Sequence, residues 1–118
     1  AGTANKGDVL GVARLAGITA AKKTSDLIPL AHPLSIHAAS VDFSFEEQPA
    51  TITVRGRVTA LERTGVEMEA MVAVSVAALA IYDMCKGVDR GITISEVCLL
   101  SKDGGKSGLY QRDAADDD

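Results

Sequence analysis

The sequence has 118 residues, which is the length of one domain with a single core, and 47% of them are apolar. The formal charge of −4 argues against a general nucleic-acid-binding protein. No apolar run of roughly 18 to 20 residues is free of charged or polar side chains, which argues against a membrane span. We therefore expect one cytoplasmic domain over residues 1–118 that binds small or specific partners, with a disordered acidic tail from about residue 109.

The core has to be built mainly from small aliphatic side chains, because only 3% of the residues are aromatic. Each such side chain buries little area, at about 0.8 kcal/mol per CH₂ group. The domain would gain stability by burying further surface in a homo-oligomer. Cys85 and Cys98 both fall in apolar segments, so we expect reduced core thiols.

The first predicted element is a helix over residues 7–23, where small apolar residues recur at helical spacing. Asp8 at its start and Lys22 and Lys23 at its end match the helix dipole. The segment that follows, "SDLIPLAHPLS", contains two prolines that prevent the helix from continuing.

Two strands joined by a turn are predicted next. "IHAASVDFSF" places His37, Ala39, Val41, Phe43 and Phe45 on one side. "TITVRGRVTALER" has the clearest two-residue alternation in the chain, with "EEQPA" between the two runs. The pattern predicts a β-hairpin.

A long helix is predicted from Gly65 to Lys86, capped by Thr64 and stopped by Gly87, and "GITISEVCLLS" is predicted as a final strand. From Ala70 to Tyr82 the helix is apolar almost all round, which favours burial on several sides. The order α-β-β-α-β predicts an α+β fold. It matches the ferredoxin-like βαββαβ pattern without its first strand, with an antiparallel sheet and two helices on one face.

The glycine-rich stretch "LLSKDGGKSG" ends like a Walker A phosphate-binding loop. Leu100 stands where that motif requires its first glycine, and no amphipathic helix follows Ser107. The stretch is therefore not a Walker A loop. Its backbone N–H groups, with Lys102 and Lys106, remain suited to an anion, although a solvated tail is the simpler interpretation.

Two polar groups lie at opposite ends of the long helix. Glu67 and Glu69 begin it, where the dipole alone accounts for acidic residues, although the two carboxylates point to different faces. Asp83 and Lys86 can form an ion pair near its end, where an acidic residue opposes the dipole. We expect Lys86 to be desolvated there, because burial lowers the pKa of a lysine and makes its amine a usable base. Glu69 and Asp83 are about 21 Å apart along the axis. If both ends serve one pocket, a second subunit related by a twofold axis must supply one of them.

Lys6 and His32 are weaker indications of function. Lys6 stands at the start of the first helix, where most lysines are ordinary surface residues. His32 lies in a proline-flanked loop, where a structural role for a histidine is more common than a functional one. With two histidines and no paired cysteine spacing, the chain offers no standard zinc site.

Three stretches together resemble the MoaC family, the cyclic pyranopterin monophosphate synthases of molybdenum cofactor biosynthesis. They are "KGDVLGVARLAGITAAKKTSDLIPLAHPL", "TGVEMEAMVAVSVAALAIYDMCK" and "GGKSG", and the resemblance covers nearly the whole chain. It implies a lyase that converts (8S)-3',8-cyclo-7,8-dihydroguanosine 5'-triphosphate to cyclic pyranopterin monophosphate and diphosphate. It also implies a ferredoxin-like subunit in a homohexamer, a trimer of dimers with sites at the dimer interface.

The resemblance also implies roles for individual residues. The catalytic residues would be Lys6, Asp83 and Lys86. The substrate-binding residues would be Leu30, Ala31, His32, Glu67, Met68, Glu69, Lys102 and Lys106, with the last two lysines on the triphosphate. Ala31 stands where many relatives have Cys, and a first strand common in the family is missing. No cofactor is implied beyond Mg²⁺ that could accompany the triphosphate.

The alternative from another class is a ferredoxin-like module without catalysis, either a small-ligand-binding domain or an inactive homologue. An RNA-binding version is disfavoured by the net charge and by the lack of regularly placed strand aromatics. A ligand-binding module leaves the Asp83 and Lys86 pair unexplained.

Overall fold

The computed structural model describes residues 6–61, 64–104 and 108–113. Its elements, in chain order, are α1 (Lys6–Lys22), α2 (Thr24–Leu27), β1 (Ile36–Glu47), β2 (Ala50–Ala60), α3 (Glu67–Cys85), β3 (Ser101–Lys102) and β4 (Tyr110–Gln111). The predicted order of helix, two strands and long helix is confirmed, and the fold is α+β.

The strands β1 and β2 form the predicted antiparallel hairpin, joined at Gln48 and Pro49. Val41 lies opposite Gly56, and the inward face of β2 is the one that the alternation predicts. The register shifts between Ile36 and Ala38. This irregularity leaves His37 exposed and packs Ile36 against the core, which reverses the predicted faces at the start of β1.

Both long helices pack on one face of this hairpin, with α1 against β1 and α3 against β2. Gly17 of α1 lies so close to α3 that a Cβ added there would be 2.7 Å from the Ala73 carbonyl oxygen. The loop that follows α2 lies beside the start of α3. The helices are therefore antiparallel, and the backbone of Lys6 lies at the end of α3 that carries Lys86.

The helix α3 is long and apolar enough, by length and composition, to cross a membrane. Such a helix is also typical of the core of a folded domain, and one face of α3 lies in the core of this one. Its buried apolar residues form the centre of the core together with α1 and the hairpin: Val72, Ala73, Ala77 and Ile81.

Three predictions about the second half of the chain are wrong. Residues 92–100 form no strand, because no other strand in the described part of the chain pairs with them and Glu96 has a left-handed φ of 48°. Residues 110–111 form β4 where a disordered tail was expected, and the rest of that tail, 114–118, lies outside the described residues. Both thiols are free, but Cys98 is exposed and only Cys85 packs against the core.

Candidate functional site

A cleft of about 140 Å³ lies between the loop after α2 and the start of α3. We call it the Glu67 cleft. All six predicted substrate-binding residues from these two segments line it: Leu30, Ala31, His32, Glu67, Met68 and Glu69. Segments more than thirty positions apart in the sequence therefore meet at one place.

The loop reaches the cleft because the chain cannot remain helical there. Pro29 and Pro33 flank its centre, and a proline disfavours helical backbone in the residue before it. A backbone hydrogen bond from Ala31 to the Ile28 carbonyl oxygen, at 3.0 Å, stabilises the turn. His32 is consequently held exposed at the rim of the cleft.

The two glutamates of the cleft differ in environment, as their opposite helix faces predict. Glu69 is buried, with 5% of its surface exposed. Its burial raises the pKa of its carboxyl group, and the charge of Glu67 adds to that effect, while a hydrogen bond from its own backbone N–H opposes it. At Glu67 a hydrogen bond from its own backbone N–H is the main cause of a lowered pKa.

The start of α3 differs from the predicted cap. Thr64 does not cap α3, whose N-cap residue is Val66 and whose cap has no side-chain hydrogen bond.

The raised pKa of Glu69 predicts a pH-dependent penalty on folding. The folded state binds this proton more tightly than the unfolded chain, so the free energy of unfolding falls as the pH rises from about 4.5 through the raised pKa. We expect Glu69→Gln to be more stable than the parent chain at pH 7, with the difference vanishing toward pH 4.5. Urea unfolding at several pH values measures it.

Glu67 does not obscure this effect, since its lowered pKa changes stability only below its ordinary value of 4.5. Glu47→Gln, at an exposed position next to the hairpin turn, is the matched control and should follow the parent chain at every pH. An advantage of Glu69→Gln that is the same at pH 5 and pH 8 would contradict the interpretation.

Lys102 enters the same region from β3. Its Nζ lies 3.1 Å from Glu67 Oε2 and donates to the Gly104 carbonyl oxygen at 3.3 Å, and only 9% of its side chain is exposed. The ammonium that was predicted to meet the triphosphate is thus paired with a carboxylate in this chain. Lys106, predicted for the same role, lies outside the described residues.

The predicted ion pair at the other end of α3 is present. Lys86 Nζ donates to Asp83 Oδ1 at 2.8 Å, but 51% of the Lys86 side chain and 72% of the Asp83 side chain are exposed. The hydrogen bond and the charge of Asp83 raise the pKa of Lys86. The prediction of a desolvated Lys86 with a lowered pKa is therefore wrong for the single chain, because the apolar part of α3 ends before this turn.

The structure does not bring the two polar clusters together. Glu67 and Asp83 lie about 24 Å apart along one helix, at 1.5 Å per residue. Lys6 shares the Lys86 end through its backbone, and its side chain is outside the described part of the structure. In the described ranges, no three His, Cys, Asp or Glu side chains form a group that could hold a metal ion.

Three residues of the cleft were missed by sequence reasoning: Leu34, Thr64 and Gly65. Gly65 carried a usable signal, since a glycine close to a helix start often marks a close approach. A Cβ added at Gly65 would collide with Glu67 Oε1. Leu34 and Thr64 carry no such signal, because only the folded loop places them at the cleft.

Comparison with known proteins agrees with the resemblance of the three motifs. The model of the MoaC family matches residues 1–105. The cyclic pyranopterin monophosphate synthase of Geobacter metallireducens is 68% identical over 113 residues, which are 96% of this chain and 71% of that protein. The Geobacter sulfurreducens protein of the same name is 65% identical over equal shares.

A more distant relative, cyclic pyranopterin monophosphate synthase 1 of Mycobacterium tuberculosis, is 57% identical over 115 residues, which are 98% of this chain and 67% of that protein. These matches cover the Glu67 cleft and the Asp83–Lys86 pair alike. The chain belongs to the MoaC family.

Proposed function

We propose that the chain is a cyclic pyranopterin monophosphate synthase of molybdenum cofactor biosynthesis. It converts (8S)-3',8-cyclo-7,8-dihydroguanosine 5'-triphosphate to cyclic pyranopterin monophosphate and releases diphosphate. The observation that carries the proposal is the meeting of six predicted substrate-binding residues, from 30–32 and 67–69, in one cleft. Relatives 57–68% identical to this chain bear the name of that activity.

The reaction opens the five-membered ring of the purine, closes a pterin ring and forms a cyclic phosphate ester as diphosphate leaves. Each ring step moves protons, which requires an acid and a base. Lys86 is protonated in this chain, since Asp83 stabilises its ammonium form. We assign to Lys86 the first proton donation and to Asp83 the positioning of the Lys86 Nζ. Lys6, at the same end of α3, would be the second member of this acid–base pair.

Departure of diphosphate needs positive charge near the leaving oxygens. We assign this role to Lys102 and Lys106, with His32 at the rim of the cleft as a further contact. Met68 and Glu69 would contact the ring system, together with Leu30 and Ala31, and Glu67 lines the same cleft. No resident cofactor is required, and Mg²⁺ bound to the triphosphate is compatible with this arrangement.

The site would be completed by a second copy of the chain. Lys86 and the Glu67 cleft are too far apart on α3 to contact one small substrate, so a partner related by a twofold axis would bring its Lys86 end to this cleft. Apolar residues on the outer faces of the helices would be buried by such contacts, among them Leu15, Leu27 and Leu79. We propose a cytoplasmic homohexamer, a trimer of dimers with sites at the dimer interface.

The decisive test is to incubate the chain with the cyclised nucleotide and to measure diphosphate release and pterin formation. The proposal expects both products in equal amounts. Binding of the nucleotide without release would instead favour a ligand-binding module or an inactive homologue. Analytical ultracentrifugation of the same preparation tests the oligomer, and a monomer that turns over would contradict a site shared between subunits.

A further inference from the structure

The pair of Lys102 and Glu67 joins two parts of the chain that are 35 positions apart. Lys102 lies in β3, just before the glycine-rich segment, and Glu67 is the first residue of α3. With 9% of its side chain exposed and two oxygen acceptors within 3.3 Å, Lys102 is held far more firmly than an ordinary surface lysine. Partly buried pairs of this kind lose much more when one partner is removed than exposed pairs do.

At Gly104 the backbone that follows Lys102 lies against the turn before α3. A Cβ added at Gly104 would lie 3.2 Å from both the carbonyl carbon and the oxygen of Thr64. Its φ of +100° is also one that residues with a side chain rarely adopt. The backbone of the segment therefore depends on a glycine at this position for its contact with Thr64, which itself lines the Glu67 cleft.

The remaining support for the segment is small. Strands β3 and β4 pair through only two residues each, and Arg112 adds bonds from its N–H and Nε to the carbonyl oxygens of Leu100 and Leu99. A two-stranded ribbon of this length is at best marginally stable in water. A further interaction must therefore hold the β3–β4 ribbon against α3. Among the described residues, the ion pair between Lys102 and Glu67 joins the ribbon to α3.

We propose that Glu67 is a positioning residue whose carboxylate clamps Lys102, and so holds the β3–β4 hairpin beside the Glu67 cleft. Glu67 acts on the substrate through this hairpin and not by direct contact. Lys106, which the sequence places between β3 and β4, lies outside the described residues. The effect of the clamp on substrate binding rests on the proposed function, whereas the clamp itself is a property of the free chain.

The first test needs no substrate. Amide hydrogen exchange is measured in the free chain for Glu67→Gln, Lys102→Met and the double variant. We expect each single variant to speed exchange at β3, β4 and Arg112 by roughly ten- to hundredfold, as for loss of a hydrogen bond to a charged group. The double variant should resemble the singles, because both changes remove one interaction. Amides of β1 and β2 serve as the internal reference for intact folding.

Glu47→Gln is the matched control, since it removes an exposed carboxylate far from β3 in the sequence and should leave exchange unchanged. Gly104→Ala is a second variant, which disturbs the contact of this segment with Thr64 without removing a charge. Gly108→Ala is its matched control. Gly108 also has a positive φ, but nothing lies within 4 Å of an added Cβ there. Gly104→Ala should therefore speed exchange more. Unchanged exchange in Glu67→Gln, or a double variant equal to the product of the singles, overturns the proposal.

The second test separates positioning from direct contact. With the cyclised nucleotide, Glu67→Gln should lower kcat/KM several-fold, and adding it to Lys102→Met should cause little further loss, because both changes remove one interaction. If Glu67→Gln adds its full loss on top of Lys102→Met, Glu67 contacts the substrate itself, and the positioning role is wrong. If the parent chain releases no diphosphate, the proposed function fails, while the exchange experiment still decides the clamp.

Discussion

Replacing Lys86 by Ala is expected to lower turnover by about 10²- to 10⁴-fold, the range typical for loss of a general acid or base. The fold should be unaffected, because half of the Lys86 side chain is exposed and its ion pair with Asp83 lies on the surface. The thermal midpoint of unfolding should therefore match that of the parent chain. Diphosphate release at saturating nucleotide measures the loss.

Arg90→Ala is the matched control, since it removes an exposed cation four residues further along the chain. It should retain turnover. Asp83→Asn keeps the shape of the side chain and removes the charge that raises the Lys86 pKa, so we expect an intermediate loss and a pH profile shifted to lower pH. Full turnover in Lys86→Ala would exclude Lys86 from the chemistry, and a dissociated oligomer would make its role structural.

Gly17→Ala is expected to destabilise the fold by about 1–3 kcal/mol, the usual cost of forcing an extra group into a packed core. The added methyl would lie 2.7 Å from the Ala73 carbonyl oxygen, 3.2 Å from the Ala77 side chain and 3.3 Å from Val41 Cγ2. Backbone on one side and a strand on the other leave no flexible group to move. The helices α1 and α3 would have to separate, which reduces burial along their whole contact.

Gly11→Ala provides the opposite sign in the same helix. Nothing lies within 4 Å of an added Cβ at Gly11, so only helix propensity changes, and we expect a gain of about 0.5–1 kcal/mol. Urea unfolding of both variants and the parent chain measures the difference. Equal stability of Gly17→Ala and Gly11→Ala would show that the close helix contact does not exist in solution.

The pattern of apolar and polar residues was sufficient to predict which side chains face the core where an element is covered by its neighbour in sequence. The alternation of β2 predicts its inward residues correctly, because the hairpin partner is only a turn away and the helices cover one side. The same alternation fails at the start of β1, where the register shifts between Ile36 and Ala38. A shift of one residue exchanges the faces of a strand, and no residue type in that segment announces it.

The prediction of a final strand failed for a different reason. Residues 92–100 have the apolar and β-branched composition of a strand, yet a strand forms only when a second one satisfies its backbone groups. The described chain supplies no such partner. The short β4 was missed in turn, because Tyr110 and Gln111 stand next to an acidic tail and pair only through the hairpin geometry.

By itself the sequence determined the order of the long elements and the family, and it predicted candidate site residues, since periodicity, capping charges and long motifs are local properties. Only the tertiary structure decided the environments of those residues. It buried Glu69, paired Lys102 with Glu67 and left Lys86 exposed beside Asp83. Burial and ion pairing depend on which distant segments pack together, and those contacts set the pKa of each group and the neighbours that it meets.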